Sequence, residues 1–142
     1  MPDLRAKAEA GSTVAQTTLG IVLLEGLDCP PDHTEALRWL SAASEKGAPR
    51  ATLHLGVMYE RGLCVARDVA RARSLYEIAA EGGEFLGWVF FARLLERGSG
   101  GPADPAGALR CYREALKQAP RVEECPELDE VRSYVAAHGA SE

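Results

Sequence analysis

The sequence predicts an all-α fold: a solenoid of about three stacked αα-hairpins, with a capping helix at each end. Three observations predict it. The chain overlays on itself at a shift of 36 residues, so that Ala51, Leu55, Gly56, Gly62, Asp68, Ala72, Ala79 and Gly83 fall on Ala15, Leu19, Gly20, Gly26, Asp32, Ala36, Ala43 and Gly47. The opposite shift carries Gly62, Asp68, Ala72, Tyr76 and Ala79 onto Gly98, Asp104, Ala108, Tyr112 and Ala115, and a fixed period of this size marks stacked supersecondary units. Second, each period holds two stretches with apolar residues at helical spacing. Third, glycine and aspartate punctuate those stretches where helix ends need them. One such hairpin cannot bury its own apolar faces, so it must stack on neighbours.

The N-terminal element is a helix over residues 3–10. Leu4 and Gly11 map onto Leu40 and Gly47, so it reads as the second helix of a truncated unit and caps the stack. Unit one covers 11–46, with Trp39-Leu40 in the place of Leu75-Tyr76 and a loop from Gly26 to Asp32 stiffened by Pro30 and Pro31.

Unit two covers 47–83. Its first helix, Ala48 to Arg61, sets Ala51, Leu55, Met58 and Tyr59 on one face. Gly62 stands where a helix end needs positive φ, and Asp68 is placed to cap the second helix, whose inward residues are Ala72, Leu75, Tyr76 and Ala79. Gly82-Gly83 ends it.

Unit three covers 84–119 and diverges most: Phe91 replaces leucine, Ala92 the first-helix glycine, Gly87 an alanine, and Cys111 stands in the place of Trp39 and Leu75. Its loop, Gly98 to Asp104, is glycine-rich and is expected to be the most mobile of the three. Pro105 follows the aspartate at the first helical position, where proline is tolerated. The period then fails, because Pro126 would interrupt a fourth first helix. A C-terminal capping helix is predicted over 126–138, with Leu128, Val131 and Val135 on one face.

The first-helix pattern A-xxx-LG-xx-Y-xx-G (Ala51, Leu55, Gly56, Tyr59, Gly62) and the second-helix pattern D-xxx-A-xx-LY-xx-AA-xx-G (Asp68, Ala72, Leu75, Tyr76, Ala79, Ala80, Gly83) resemble the Sel1-like repeat, a relative of the tetratricopeptide repeat. The resemblance covers roughly residues 4 to 119. It implies a right-handed superhelix and a role as adaptor or scaffold, since such proteins serve mostly in signalling, protein quality control and bacterial host interaction. Some secreted members carry a disulfide between the two helices of each unit. Cys29, Cys64, Cys111 and Cys125 lack that spacing and read as reduced thiols.

Composition narrows the function classes. There are 16 basic against 21 acidic side chains, a net charge of −5, and five carboxylates between Glu123 and Glu130. Such a balance speaks against nucleic-acid binding, which needs a basic face. No apolar run reaches the length of a membrane span, so no membrane association is expected. No apolar segment follows a basic patch at the start, so no signal peptide is visible, although a trimmed leader would look the same. A cytoplasmic location is the expectation. No cofactor motif and no metal-ligand spacing occurs, and only Cys29, His33 and Cys64 could meet across adjacent loops. None of the seven serines lies in a nucleophile motif, so no catalytic residue is assigned and the chain is not expected to be an enzyme.

The remaining candidate is the inner curve. The tetratricopeptide geometry implied by the resemblance points the non-core residues of the first helices into a groove. Unit one contributes Val14, Thr17, Ile21, Leu24 and Glu25; unit two Arg50, Leu53, Val57, Glu60 and Arg61; unit three Leu86, Val89, Arg93, Glu96 and Arg97. Arginines beside apolar anchors suit a peptide carboxylate or an acidic segment. The alternative is that Arg61 and Arg97 only complement helix dipoles and that Glu60 and Glu96 are solvated.

Trp39, Tyr76 and Tyr112 read as core. Phe91 is core by register, and Trp88 and Phe90 either face a partner or pack against the C-terminal helix. The expected function is non-catalytic binding of another protein or peptide. An immunity or inhibitor partner of a bacterial effector, or a hydrolase-like enzyme using a buried histidine, stays as an alternative. The open faces of a three-unit stack also allow a homodimer.

Overall fold

The computed structural model of the chain describes residues 2–26, 32–118 and 126–138, with backbone alone at 2 and 126–128. The loop with Cys29, Pro30 and Pro31, the stretch with Glu123, Glu124 and Cys125, and the side chains of Glu127 and Leu128 lie outside the described residues. Among the described residues there are eight helices and no strands: α1 (Pro2–Glu9), α2 (Thr13–Glu25), α3 (His33–Glu45), α4 (Pro49–Arg61), α5 (Val69–Glu81), α6 (Phe85–Arg97), α7 (Pro105–Gln118) and α8 (Pro126–His138). Each helix packs on its sequence neighbours, and α2–α3, α4–α5 and α6–α7 form the three hairpins.

The punctuation of the sequence sets the helix ends. Gly26, Gly62 and Gly98 end the first helices at φ 67°, 69° and 68°, a left-handed region that glycine enters without the strain a Cβ brings. The second helices start on aspartate: Asp32, Asp68 and Asp104 accept from the amides of Glu35, Arg71 and Gly107 at 3.0, 3.0 and 2.9 Å. Each of these aspartates also returns its own amide to the helix before it, Asp32 to the carbonyl of Leu23, Asp68 to Tyr59 and Asp104 to Leu95. Every hairpin turn is thus closed by the same two bonds.

Between units, the loops of units two and three rest on the start of the preceding second helix. Gly100 (φ 74°) lies against the backbone of Val69 and Ala70, so close that a Cβ would come 2.7 Å from the Val69 carbonyl. Its counterpart in unit two is Cys64, the non-glycine residue at φ 63°, whose Sγ lies 3.4 Å from Thr34 Oγ1. The glycine content of the Gly98–Asp104 loop predicts mobility. The loop is nevertheless fastened by Arg73, which donates to the carbonyls of Ser99 (3.4 Å) and Pro102 (3.0 Å).

Small residues let helices approach. At Gly56 a Cβ would lie 2.7 Å from the Tyr76 ring, and at Gly20 it would lie 2.6 Å from Leu40. Gly87 faces backbone, with a would-be Cβ 2.6 Å from the Ala80 amide nitrogen and 2.8 Å from the Tyr76 carbonyl, so α6 sits hard against α5.

Three apolar clusters run along the stack. The first joins Leu4 and Ala8 of α1 to Leu19, Trp39, Leu40 and Met58. A central one holds Leu53, Ala72, Tyr76, Ala79 and Leu94. The third joins Val89, Cys111 and Tyr112 to Val131, Tyr134 and Val135 of α8. Trp39, Tyr76 and Tyr112 are buried, and Trp88, Phe90 and Phe91 are partly buried against the last cluster.

Each cap is pinned by polar contacts as well. Arg5 of α1 pairs with Glu35 of α3, and this contact holds the Glu35 carboxyl below its ordinary range. Buried Gln16 donates to the Ala8 carbonyl at 3.0 Å, and Lys46 bridges it to the Gly11 carbonyl. At the other end Arg93 pairs with Glu130 of α8 at 2.9 Å, and Tyr134 of α8 lies 4.7 Å from the Tyr112 ring.

Candidate functional site

The first helices α2, α4 and α6 lie side by side and form one surface with two open recesses. The first, of about 340 Å³, lies between α4 and α6. Its charged residues are Glu60, Arg61, Arg93, Arg97 and Glu130, and its apolar walls are Val57, Leu94 and Phe90. The second, of about 780 Å³, opens between α2, α4 and α6 and shares Val57, Arg61 and Phe90 with the first. It adds Leu24 and Glu25 from α2, Arg50, Leu53 and His54 from α4, and Glu84 and Leu86 at the start of α6. A shallower hollow between the starts of α2 and α4 carries Val14, Thr17, Thr18 and Arg50.

The residues named from sequence therefore divide. Val57, Glu60, Arg61, Arg93 and Arg97 meet in one recess, Arg50 and Leu53 in the next, and Val14 and Thr17 at the rim. Val14 is 77% exposed. Ile21 belongs to the first apolar cluster. Val89 is fully buried and does not line the surface, because it packs in the third apolar cluster with Tyr112 of α7 and Val131 of α8.

Glu60 and Glu96 are not merely solvated. The Tyr76 hydroxyl donates to Glu60 at 2.7 Å, and the Tyr112 hydroxyl donates to Glu96 at 3.0 Å. Burial first, and these hydrogen bonds second, push both phenols well above their ordinary pKa. Glu96 sits outside both recesses, while Glu60 lines the first with its carboxylate tied to the wall.

Sequence reasoning missed one residue of this face, His54. Arg50, His54, Val57 and Arg61 follow one another at i, i+4, i+7 and i+11, so His54 completes the row of groove residues on α4. Its counterpart on α6 is Phe90, which meets Tyr76 edge-on at 5.3 Å and carries the Arg93 guanidinium over its ring at 5.5 Å. Burial pushes the His54 imidazole below its ordinary pKa, opposed by Glu25 and reinforced by Arg50.

His54 faces the second recess, whereas Ser74 lines a separate hollow with Arg73 and Glu77, its hydroxyl turned to the Ala70 carbonyl at 3.4 Å. Burial pushes the Cys111 thiol up to about 11, which leaves it protonated at neutral pH. Cys64 and Cys111 are free thiols. Among the described residues no group of three or more His, Cys, Asp or Glu side chains is placed to hold a metal ion. The Cys29 of the one trio considered from sequence lies outside the described residues. Nor is any helix among the described residues long and apolar enough to cross a membrane.

The C-terminal acidic segment contributes two described carboxylates, and both are engaged: Asp129 with Arg132 at 3.2 Å and Glu130 with Arg93 at 2.9 Å.

Comparison with known proteins agrees with this architecture. A crystal structure of a Sel1 repeat protein from Oxalobacter formigenes superposes with a TM-score of 0.78 at 26% identity, over 94% of this chain and 59% of that one. A protective antigen of uropathogenic Escherichia coli with an SLR fold superposes at 0.76 and 33% identity, over 82% of this chain and 25% of that one. The rat protein named DAP3-binding cell death enhancer 1 is 28% identical over 109 residues, which is 77% of this chain. The chain spans only 21% of that relative's length. Sel1 repeats generally mediate protein–protein interaction. The Sel1 repeat model matches residues 13–47, 49–84 and 85–120, one match for each hairpin. With three successive hairpins matched in register, the chain belongs to the Sel1 repeat family.

Proposed function

We propose that the chain is a non-catalytic binding module that takes a segment of another protein along the face lined by α2, α4 and α6. The observation that carries this reading is the continuity of the two recesses through Val57, Arg61 and Phe90. A shared floor of this kind suits an extended or helical segment longer than any one recess. Its chemistry suits an acidic partner: the first recess has three guanidiniums against two carboxylates, in a chain whose net charge is −5. Apolar side chains beside the charges provide anchors, and the arginines provide orientation.

A pull-down compares the native chain with the variant Arg50→Glu, Arg61→Glu, Arg93→Glu, after circular dichroism has shown both folded. A partner held by the native chain and lost by the variant is the expected result. Equal capture by both would move the binding surface elsewhere on the molecule.

A further inference from the structure

Resting on that reading, we propose that the recess between α4 and α6 is a carboxylate anchor for an acidic segment of the partner, and that Glu130 of α8 is its resident competitor. The two carboxylates of the recess differ in kind. Glu60 belongs to the wall, held at 2.7 Å by the buried Tyr76 hydroxyl. Glu130 arrives from another element, reaches Arg93 at 2.9 Å, and keeps 69% of its side chain in solvent. It sits as an incoming acid would sit.

Arg93 is prepared for that role. Its side chain is 27% exposed, its guanidinium lies over the Phe90 ring, and its edge is turned to the carboxylate. Ring on one face and acid at the edge is an arrangement that orients arginine for a planar carboxylate. Arg61 and Arg97 line the same recess, with no ion pair among the described residues. A partner acid entering here meets three cations, of which only Arg93 must first exchange its present occupant.

Exchange does not require α8 to leave. That helix is held by Val131, fully buried, and by Tyr134 against Tyr112. Rotation of the Glu130 side chain frees Arg93 with the helix in place. An exposed ion pair is weak, so the competition it offers is correspondingly modest.

The test uses the full chain and a fluorescein-labelled peptide of alternating glutamate and leucine, with a glutamine-for-glutamate peptide as control, followed by anisotropy at low salt. The expected result is binding of the glutamate peptide well above the glutamine one, weakened by Arg97→Gln and tightened about threefold by Glu130→Gln. In an Arg93→Gln background the gain from Glu130→Gln should vanish.

Equal binding of both peptides, or of neither, overturns the carboxylate anchor. A partner still captured through the groove in the pull-down would then leave the binding-module reading standing. Glutamate-specific binding that Glu130→Gln leaves unchanged, or that tightens equally without Arg93, overturns the resident competitor alone.

Discussion

At one pair of matching positions the hairpins solve the same packing problem differently. Unit one has Leu24 and Leu40 in a single apolar cluster. Unit two has Glu60 and Tyr76, unit three Glu96 and Tyr112, and in both the phenol donates to the carboxylate. The second-helix residue in units one and two lies over a first-helix glycine, Gly20 or Gly56, at nearly the same separation. Backbone geometry is thus indifferent to the choice. What changes is the surface: an apolar pair leaves the α2 end of the groove neutral at this register, whereas the tyrosine tie fixes a carboxylate beside Arg61 or Arg97. Hairpin packing and groove chemistry can therefore vary separately.

The largest expected effect breaks the spacing between units. Ala15 and Ala51 are matched in unit three by Gly87, which faces backbone instead of side chains. Gly87→Ala should lower unfolding free energy by about 3 kcal/mol, because backbone cannot rotate aside. Urea denaturation measures it, and an unchanged midpoint would mean that α6 is free to shift away from α5.

A second experiment converts unit two toward unit one. Glu60→Leu alone leaves the buried Tyr76 hydroxyl without its acceptor and should cost about 2 kcal/mol, while Tyr76→Phe alone should cost about 1 kcal/mol. Combined, they should come close to the parent, because removing both members of a buried polar pair is nearly neutral. A double-mutant cycle without coupling would show that the tie is incidental to stability.

The smallest effect concerns His54, matched by Thr18 and Phe90 in the other units. Burial lowers its folded-state pKa below the ordinary 6.5. The unfolded chain then binds the proton more readily, so this contribution is full above that value and declines as pH falls below it. His54→Phe should flatten the loss of stability between pH 7 and pH 5, as followed by thermal melts. A slope identical to the parent's would assign the acid sensitivity to other groups.

Much of the fold is legible in the sequence because its landmarks are local. Aspartate caps and αL glycines act through their own backbone, so Asp68 and Gly62 mean in the chain what they mean in the fold. The site is less so, because it depends on which side of a helix a neighbour covers. Val89 carries the same register as Thr17 and Leu53, which line the recesses, and only its packing against Tyr112 of α7 and Val131 of α8 puts it in the core. His54 and Phe90, by contrast, were readable, since each continues the helical stripe of the arginines on its own helix. The tyrosine ties left a signal too: Glu60 to Tyr76 and Glu96 to Tyr112 are both separated by 16 residues. Glu130 left none, as it lies where the period has already failed.

The bond that closes each turn has a consequence for how such a chain changes length. Asp32, Asp68 and Asp104 each return the backbone amide to a carbonyl nine positions earlier, at Leu23, Tyr59 and Leu95. A 36-residue block cut at any of these aspartates rejoins like to like. Its deletion or duplication keeps the turn closed and shortens or extends the groove by one hairpin. A slip of a single residue instead turns the helix by about 100° and brings its buried stripe to water. Recombination can therefore edit this protein in whole hairpins, with each new copy free to exchange leucine for a tyrosine tie, while the terminal helices stay where they are.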